Sequence, residues 1–305
     1  MEARAVAIGK PDFFNYIFPS NLGLNTTDIA RAKAAGLDAS RLLADLHVGY
    51  GGAVEDGNME FVSHPGFAEG AVNLETNAAT HTMKRALAEA SDINDFLNAD
   101  DSQRIKIRTA SFCTERSGHF DGFDQGLIFF LPNQVSLRSS DGFDTKTDGP
   151  CTNFDGFYQT WLQPPAWAHA MISETWQDTV LNVSFGRALG QSAAAQLASD
   201  GSTLVVRYVN AYNASVKVSL SLKNWQPSSK SPVVTQLAPP ADAATVCGPA
   251  CAPSFYDPSI PRIEECCTNP PGQPELIKPG EGKMDDVDSF TAPAFSYTTV
   301  TFTIL

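Results

Sequence analysis

Ala71-Val72-Asn73-Leu74-Glu75-Thr76-Asn77 is the stretch on which the fold turns. A short apolar run delivers a carboxylate to its end, and the polar pair Thr76-Asn77 opens a helical pattern directly afterwards. From Ala78 to Asn98 that pattern places Met83, Ala86, Leu87, Ala90, Ile93, Phe96 and Leu97 on one face. A strand that runs into an amphipathic helix is a βα unit, and successive βα units build a parallel sheet.

The same alternation extends on both sides. Upstream, Phe13 to Phe18 reads as a strand closed by Pro19-Ser20-Asn21, and a helix over Ile29 to Ala35 stops at Gly36. Leu42 to Val48 is a second strand, ending at Gly49 and the Gly51-Gly52 pair. Downstream, Arg104 to Phe112 alternates as a fourth strand, and Trp167 to Trp176, after Pro164-Pro165, forms another helix with proline at its start. Four βα units are half of what a closed (β/α)8 barrel requires. They fit a smaller doubly wound sheet or a barrel without its first half.

After Leu181 the pattern turns all-β. Leu204 to Val209 and Val216 to Leu222 are strands joined by a hairpin-type connection over 210–215, and Val233 to Leu237 and Thr298 to Ile304 complete a sandwich-like set. Residues 238–288, rich in Pro, Gly and Cys, read as a long stapled loop. The domain boundary falls near residue 180: residues 1–180 as a partial barrel, 181–305 as a β-sandwich carrying that insert. No internal repeat is present.

Composition narrows the function. The 305 residues carry 34 acidic and 21 basic side chains, a formal charge of −13, which disfavours phosphate contacts and hence nucleic-acid partners. No run of about 18 apolar residues occurs, so no membrane span is expected. Met1-Glu2-Ala3-Arg4-Ala5-Val6-Ala7-Ile8 is a short amphipathic helical stretch without the features of a signal peptide: the protein is either intracellular or lacks its true beginning. The cysteines favour the second. Cys113 and Cys151 flank one loop, and Cys247, Cys251, Cys266 and Cys267 cluster in another; an even number in loops suits disulfides of an oxidising compartment, with at least one link between the 247–251 pair and 266–267. A zinc site is the alternative, disfavoured by the vicinal pair and the absence of a nearby histidine. Sequons at Asn25, Asn182 and Asn213 agree with an extracellular or secretory-pathway protein.

In a barrel the chemistry stands where strands end and βα loops begin. Asn21 follows the first strand, His47 ends the second, Glu75 ends the third, and Glu115 lies just past the fourth. A glutamate at such an end, with a helix N-terminus beside it, is kept ionised and suited to nucleophilic attack; the bland reading is a charge that stabilises the helix start. His47 could hydrogen-bond a carboxylate or a sugar hydroxyl, or be structural. Glu115 belongs to a polar loop with Arg116, His119, Asp121 and Asp124, for most of whose members a solvated loop is the favoured reading. Trp161 offers a flat face on which sugar C–H groups stack and Gln163 an amide for hydroxyls, with core packing an equal explanation for Trp161. No histidine pair has metal-ligand spacing, and neither a phosphate-binding glycine loop nor a Gly-x-Ser-x-Gly elbow occurs, so no cofactor or metal is expected.

Taken in order, these features resemble family 51 glycoside hydrolases, the α-L-arabinofuranosidases. Ala71 to Ala78 with the helix Lys84 to Ala90 is similar to the family's nucleophile region. Leu127 to Phe130 and Trp161 to Ala168 resemble the loop and helix after its eighth strand, and Pro293 to Val300 its closing strand. The resemblance implies a (β/α)8 barrel followed by a β-sandwich, with this chain supplying barrel strands five to eight. It implies Glu75 as nucleophile on the seventh strand and His47 on the sixth. Two positions depart from the family pattern: Leu74-Glu75-Thr76 stands where Gly-Glu-Tyr or Ser-Glu-Tyr is usual, and Val48 where a tyrosine is expected, which leaves Tyr50 to supply a phenol. The acid/base glutamate of the family would precede Met1, so the chain is expected to be a fragment acting, in its intact form, on arabinose-containing polysaccharide or oligosaccharide. Two other functions are open: a glycosidase that uses Glu115 as acid/base, and a non-catalytic carbohydrate-binding protein.

Overall fold

A computed structural model describes residues 7–8, 16–19, 30–31, 33–36, 42–45, 71–76, 82–99, 105–110, 114–116, 127–130, 160–186, 190–223, 231–240, 269 and 275–304. The chain divides into two compact units, one of residues 1–77 and 99–111, the other of residues 78–98 and 112–305. The boundary expected near residue 180 falls inside the second unit.

The first unit holds a four-stranded sheet of β1 (Tyr16–Pro19), β2 (Leu42–Asp45), β3 (Ala71–Thr76) and β4 (Ile105–Ala110). The strands lie in sequential order, and every pairing is parallel. Among the described residues the sheet is open, with β1 and β4 at its edges. Between β1 and β2, helical residues at 30–31 and 33–34 end at Gly36, whose φ of 88° lies in the left-handed region that a side chain disfavours. The apolar runs of the sequence therefore give the strands, and the glycine gives the stop.

The second unit is built in layers. Helix α1 (Met83–Ala99) buries Met83, Ala86, Leu87, Ala90, Ile93, Phe96 and Leu97, the whole apolar stripe of the sequence. Helix α2 (Pro164–Glu174) opens with both prolines in its first turn, where a missing N–H costs nothing. Three short strands precede it: β5 (Thr114–Arg116), β6 (Ile128–Phe130) and β7 (Thr160–Leu162), with β5 and β6 parallel and β7 antiparallel to β6.

Beyond α2 come β8 (Thr179–Leu181), β9 (Gln191–Leu197), β10 (Thr203–Asn210), β11 (Val216–Ser219) and β12 (Val233–Leu237). The chain closes with β13 (Gly280–Glu281), β14 (Met284–Asp286), β15 (Ser289–Ala292) and β16 (Ser296–Thr303). They form a six-stranded antiparallel sheet in the order β13-β12-β16-β10-β9-β8 and a three-stranded one in the order β11-β15-β14. Ala194, Val209, Leu237 and Tyr297 on one face of the large sheet pack with the apolar stripes of α1 and α2. On the other face Ala193, Leu204, Val206, Tyr208, Val300 and Phe302 pack with Phe290 and Ala292 of the small sheet. Because both faces are covered, Leu204 to Asn210 is buried without alternation. Each large apolar side chain so enclosed contributes about 1.5–3 kcal/mol.

Three expectations are corrected here. The connection over 210–215 is no hairpin: β10 pairs with β9 and β16, whereas β11 pairs with β15. Asn210 is buried and its side-chain amide donates to the carbonyls of Ala214 at 2.9 Å and Pro293 at 2.7 Å, which holds the turn that carries the chain from one sheet to the other. The segment 238–288 is not loop throughout, since β13 and β14 lie within it. Glu115 stands inside a strand, β5, where a loop was expected.

Candidate functional site

The parallel sheet brings the ends of its strands to one edge. Pro19 and Asp45, the last residues of β1 and β2, are register partners, and Thr76 of β3 pairs with Ala110 of β4. Glu75 is the penultimate residue of β3. Its strand is irregular there: three residue steps from Asn73 to Thr76 are matched to two from Arg108 to Ala110. One extra residue is thus accommodated in the stretch Leu74–Glu75. Such bulges re-aim a side chain or end a pairing, and they gather beside active sites. Asn21, His47 and Tyr50 lie outside the described residues, as do all six cysteines.

In the second unit, Glu115 shares a register row with Phe129 and Trp161 across β5, β6 and β7. Trp161 is 5% exposed, and its indole Nε1 donates to the carbonyl of Asn269 at 2.5 Å. Gln163, fully buried, pairs twice with the same peptide group: Nε2 donates to the Asn269 carbonyl at 2.9 Å, and Oε1 accepts from the Asn269 N–H at 3.0 Å. The Asn269 side chain completes the junction. Its Nδ2 donates to the carbonyls of Leu162 at 2.9 Å and Ile277 at 2.8 Å, and its Oδ1 accepts from the Ile277 N–H at 2.7 Å. In this arrangement Trp161 and Gln163 fasten residue 269 of the Cys-rich insert to the start of α2. Their ring and amide face protein.

Buried charged side chains of the second unit, Arg85, Glu89 and Arg207 among them, were not singled out from the sequence. Arg85 and Glu89 are one helical turn apart on α1, with Nε to Oε1 at 2.6 Å, and Glu89 Oε2 meets His169 Nε2 of α2 at 2.8 Å. Burial alone would raise the Glu89 carboxyl, but the His169 hydrogen bond and the Arg85 charge outweigh it and hold it at about 2. Glu89 is therefore a fixed anion, unsuited to donate a proton at neutral pH. The signal was present in the i,i+4 spacing of an acid and a base inside an apolar stripe.

Arg207 of β10 points to the same side as Val205 and Val209, toward α2. Its guanidinium donates to Gln196 Oε1 at 2.5 Å, to the Thr175 carbonyl at 2.8 Å and to Thr175 Oγ1 at 3.1 Å. A cation thus sits on the carbonyl end of α2, where the helix dipole favours it. Burial pulls the guanidinium below its ordinary value, opposed by Tyr297, and pushes the Tyr297 hydroxyl up to about 12, opposed by Arg207. No cluster of His, Cys, Asp and Glu among the described residues is arranged to hold a metal ion. Among the same residues no helix is long and apolar enough to cross a membrane.

No protein-family pattern matches the sequence, and no curated protein matches it either. Solved structures do. The chain is similar to the α-L-arabinofuranosidase of Thermotoga maritima in its arabinose complex, with a TM-score of 0.59 and 11% identity over 94% of this chain and 57% of that one. It is similar to the family 51 α-L-arabinofuranosidase of Bifidobacterium longum, with a TM-score of 0.56 and 12% identity over 99% and 60%. The family 51 enzyme of Thermotoga petrophila gives 0.56 and 12% over 93% and 56%. At such identities the likeness is one of fold. The chain spans 56–60% of the length of these structures, and the likeness extends along most of its own length.

Proposed function

We propose that the chain is the C-terminal part of a retaining glycoside hydrolase of the α-L-arabinofuranosidase type, with half a (β/α)8 barrel leading into a β-sandwich. The observation that carries the reading is the place of Glu75: the penultimate residue of a parallel strand, in a bulged stretch, at the edge from which the chain leaves every strand of that sheet. The fold shared with arabinofuranosidases supports it. Glu75 is the nucleophile in this reading, His47 a neighbour that orients it or a sugar hydroxyl, and Asn21, Tyr50 and Glu115 contacts for substrate.

In the proposed mechanism Glu75 attacks the anomeric carbon, and a second carboxyl about 5–5.5 Å away protonates the leaving oxygen and then activates water. That carboxyl keeps its proton by a raised pKa beside an ionised neighbour. The reading assigns it to sequence outside residues 1–305 and assigns single arabinofuranosyl branches of polysaccharide as substrate. It also assigns the protein to the extracellular space or secretory pathway; two of its sequons, at Asn182 and Asn213, are exposed.

The test is covalent trapping. A 2-fluoro arabinofuranosyl reagent with an activated leaving group should label Glu75, read by peptide mass spectrometry, and Glu75→Gln should abolish labelling. Labelling of Glu115 in its place would transfer the chemistry to the second unit. Absence of any labelling, with retention on polysaccharide intact, would favour the non-catalytic carbohydrate-binding reading.

A further inference from the structure

We propose that Trp176 is a stacking platform for a neutral sugar ring, forming a carbohydrate-binding site at the end of α2 opposite Gln163. The proposal goes beyond the catalytic reading and uses none of the residues assigned to it. Trp176 follows the C-cap residue Thr175 and is 48% exposed, one of few large apolar side chains so placed among the described residues. A single exposed apolar residue is ordinary on a protein surface. This one is held from beneath.

The Arg207 guanidinium lies over the ring, 5.8 Å from its centroid. That guanidinium is itself fixed by Gln196 and Thr175. The backbone on both sides of the ring is fastened as well: the Trp176 N–H donates to the Ser173 carbonyl at 3.4 Å, and Gln196 Nε2 donates to the Gln177 carbonyl at 2.6 Å. A half-exposed indole with one face on a buried cation and both chain neighbours tied presents its surface with little conformational freedom to lose on binding. Low ordering cost is what turns an aromatic side chain into a binding platform.

The surroundings select the ligand class. Ser173 and Glu174, three and two residues before Trp176, are exposed and carry acceptors for hydroxyl groups. An anionic ligand is opposed by the exposed Glu174 carboxylate and by a chain of net charge −13. A cationic ligand is disfavoured for a different reason: the ring already spends its electron-rich character on Arg207, and a second cation on the same indole is repelled by the first. A neutral ring with apolar C–H faces and hydroxyl edges satisfies both constraints. α2 has 11 residues, so at 1.5 Å per residue its two ends are separated by about 16 Å; the site at Trp176 is distinct from the Trp161–Gln163–Asn269 junction.

Affinity electrophoresis of residues 1–305 in gels of soluble arabinan, arabinoxylan, galactan or β-glucan tests this, with chitosan and polygalacturonate as charged comparisons. The expected result is retardation by at least one neutral polysaccharide, weakened about tenfold in Trp176→Ala and mostly kept in Trp176→Phe. Val287→Ala, at another exposed apolar position, should leave the retardation as it is, which separates loss of the Trp176 platform from a general loss of exposed apolar surface. A second measurement needs no variant: N-bromosuccinimide oxidation of Trp176, read by peptide mass spectrometry, should slow when the retarding polysaccharide is present. Retardation by chitosan alone, by no polysaccharide, or equally for wild type and Trp176→Ala would overturn the proposal. So would oxidation of Trp176 at an unchanged rate.

Discussion

Glu89 of α1 and His169 of α2 meet at 2.8 Å, with Glu89 only 1% exposed and its other oxygen on Arg85. This contact joins the two helices that cover one face of the large sheet, and it makes the stability of the second unit depend on one carboxylate.

The Glu89 carboxyl lies at about 2 in the folded protein against an ordinary 4.5. A depressed folded value contributes stability that is complete above the unfolded value and is lost as pH falls through the folded one. Wild-type protein should therefore lose stability between pH 4.5 and 2, on the order of 3 kcal/mol from this group. Thermal melts across that range should be flatter for Glu89→Gln, which starts lower at pH 7 because it leaves Arg85 beside a neutral amide. Parallel pH dependence of the two proteins would show that Glu89 does not carry the effect.

Asn269→Ala should destabilise by roughly 2–4 kcal/mol, since it strips partners from the buried carbonyls of Leu162 and Ile277 and the N–H of Ile277. Asn269→Asp should not rescue it. A carboxylate can accept from Ile277 but would face two carbonyl oxygens where the amide donates. Urea unfolding midpoints of the three proteins give the order.

Gly282 donates its N–H to the Val234 carbonyl at 2.9 Å, and a Cβ there would stand 2.6 Å from Val234 Cγ1. Val234 is buried and has little room to yield. Gly282→Ala should cost about 1–3 kcal/mol. At Gly280 an added Cβ meets nothing within 4 Å, so Gly280→Ala is the matched control, expected to fall within about 0.5 kcal/mol of wild type.

For catalysis, the proposed division of roles predicts unequal substrates. Without a general acid, worth about 10²–10⁴-fold, residues 1–305 should turn over an activated aryl arabinofuranoside slowly and natural oligosaccharides undetectably. When the preceding part of the barrel is supplied, both activities should appear, and Glu75→Gln should abolish both. Ordinary hydrolysis of natural arabinosides by residues 1–305 alone would promote Glu115.

What was legible in the sequence followed from strong periodicity. Every apolar position assigned to the face of α1 is buried, because a 17-residue helix with a complete stripe leaves no competing pattern. Of the four parallel strands, β1 to β3 were readable as apolar runs and β4 as an alternation. β9 was not: Gln191-Ser192-Ala193-Ala194-Ala195-Gln196-Leu197 has the alanines of a helix, and only its place between β8 and β10 makes it a strand. Asn269 gave no local signal either, since its six hydrogen bonds reach residues 161–163 and 277, and no window of sequence contains them all. The crossing from β10 to β11 was hidden for the same reason: a short polar connection between two strands looks the same whether it returns to the same sheet or enters another.

The face of the large sheet that α1 and α2 cover has a consequence for synthesis. α1 is complete at Ala99, whereas β16, which supplies Tyr297 to the same core, ends at Thr303. At about 5–20 residues per second the ribosome needs roughly 10–40 s to make that interval. During it the stripe from Met83 to Leu97 has no finished sheet to cover it. Nascent chains of this protein should therefore spend that time as chaperone clients, and slowing elongation after residue 99 should lengthen their dependence in proportion.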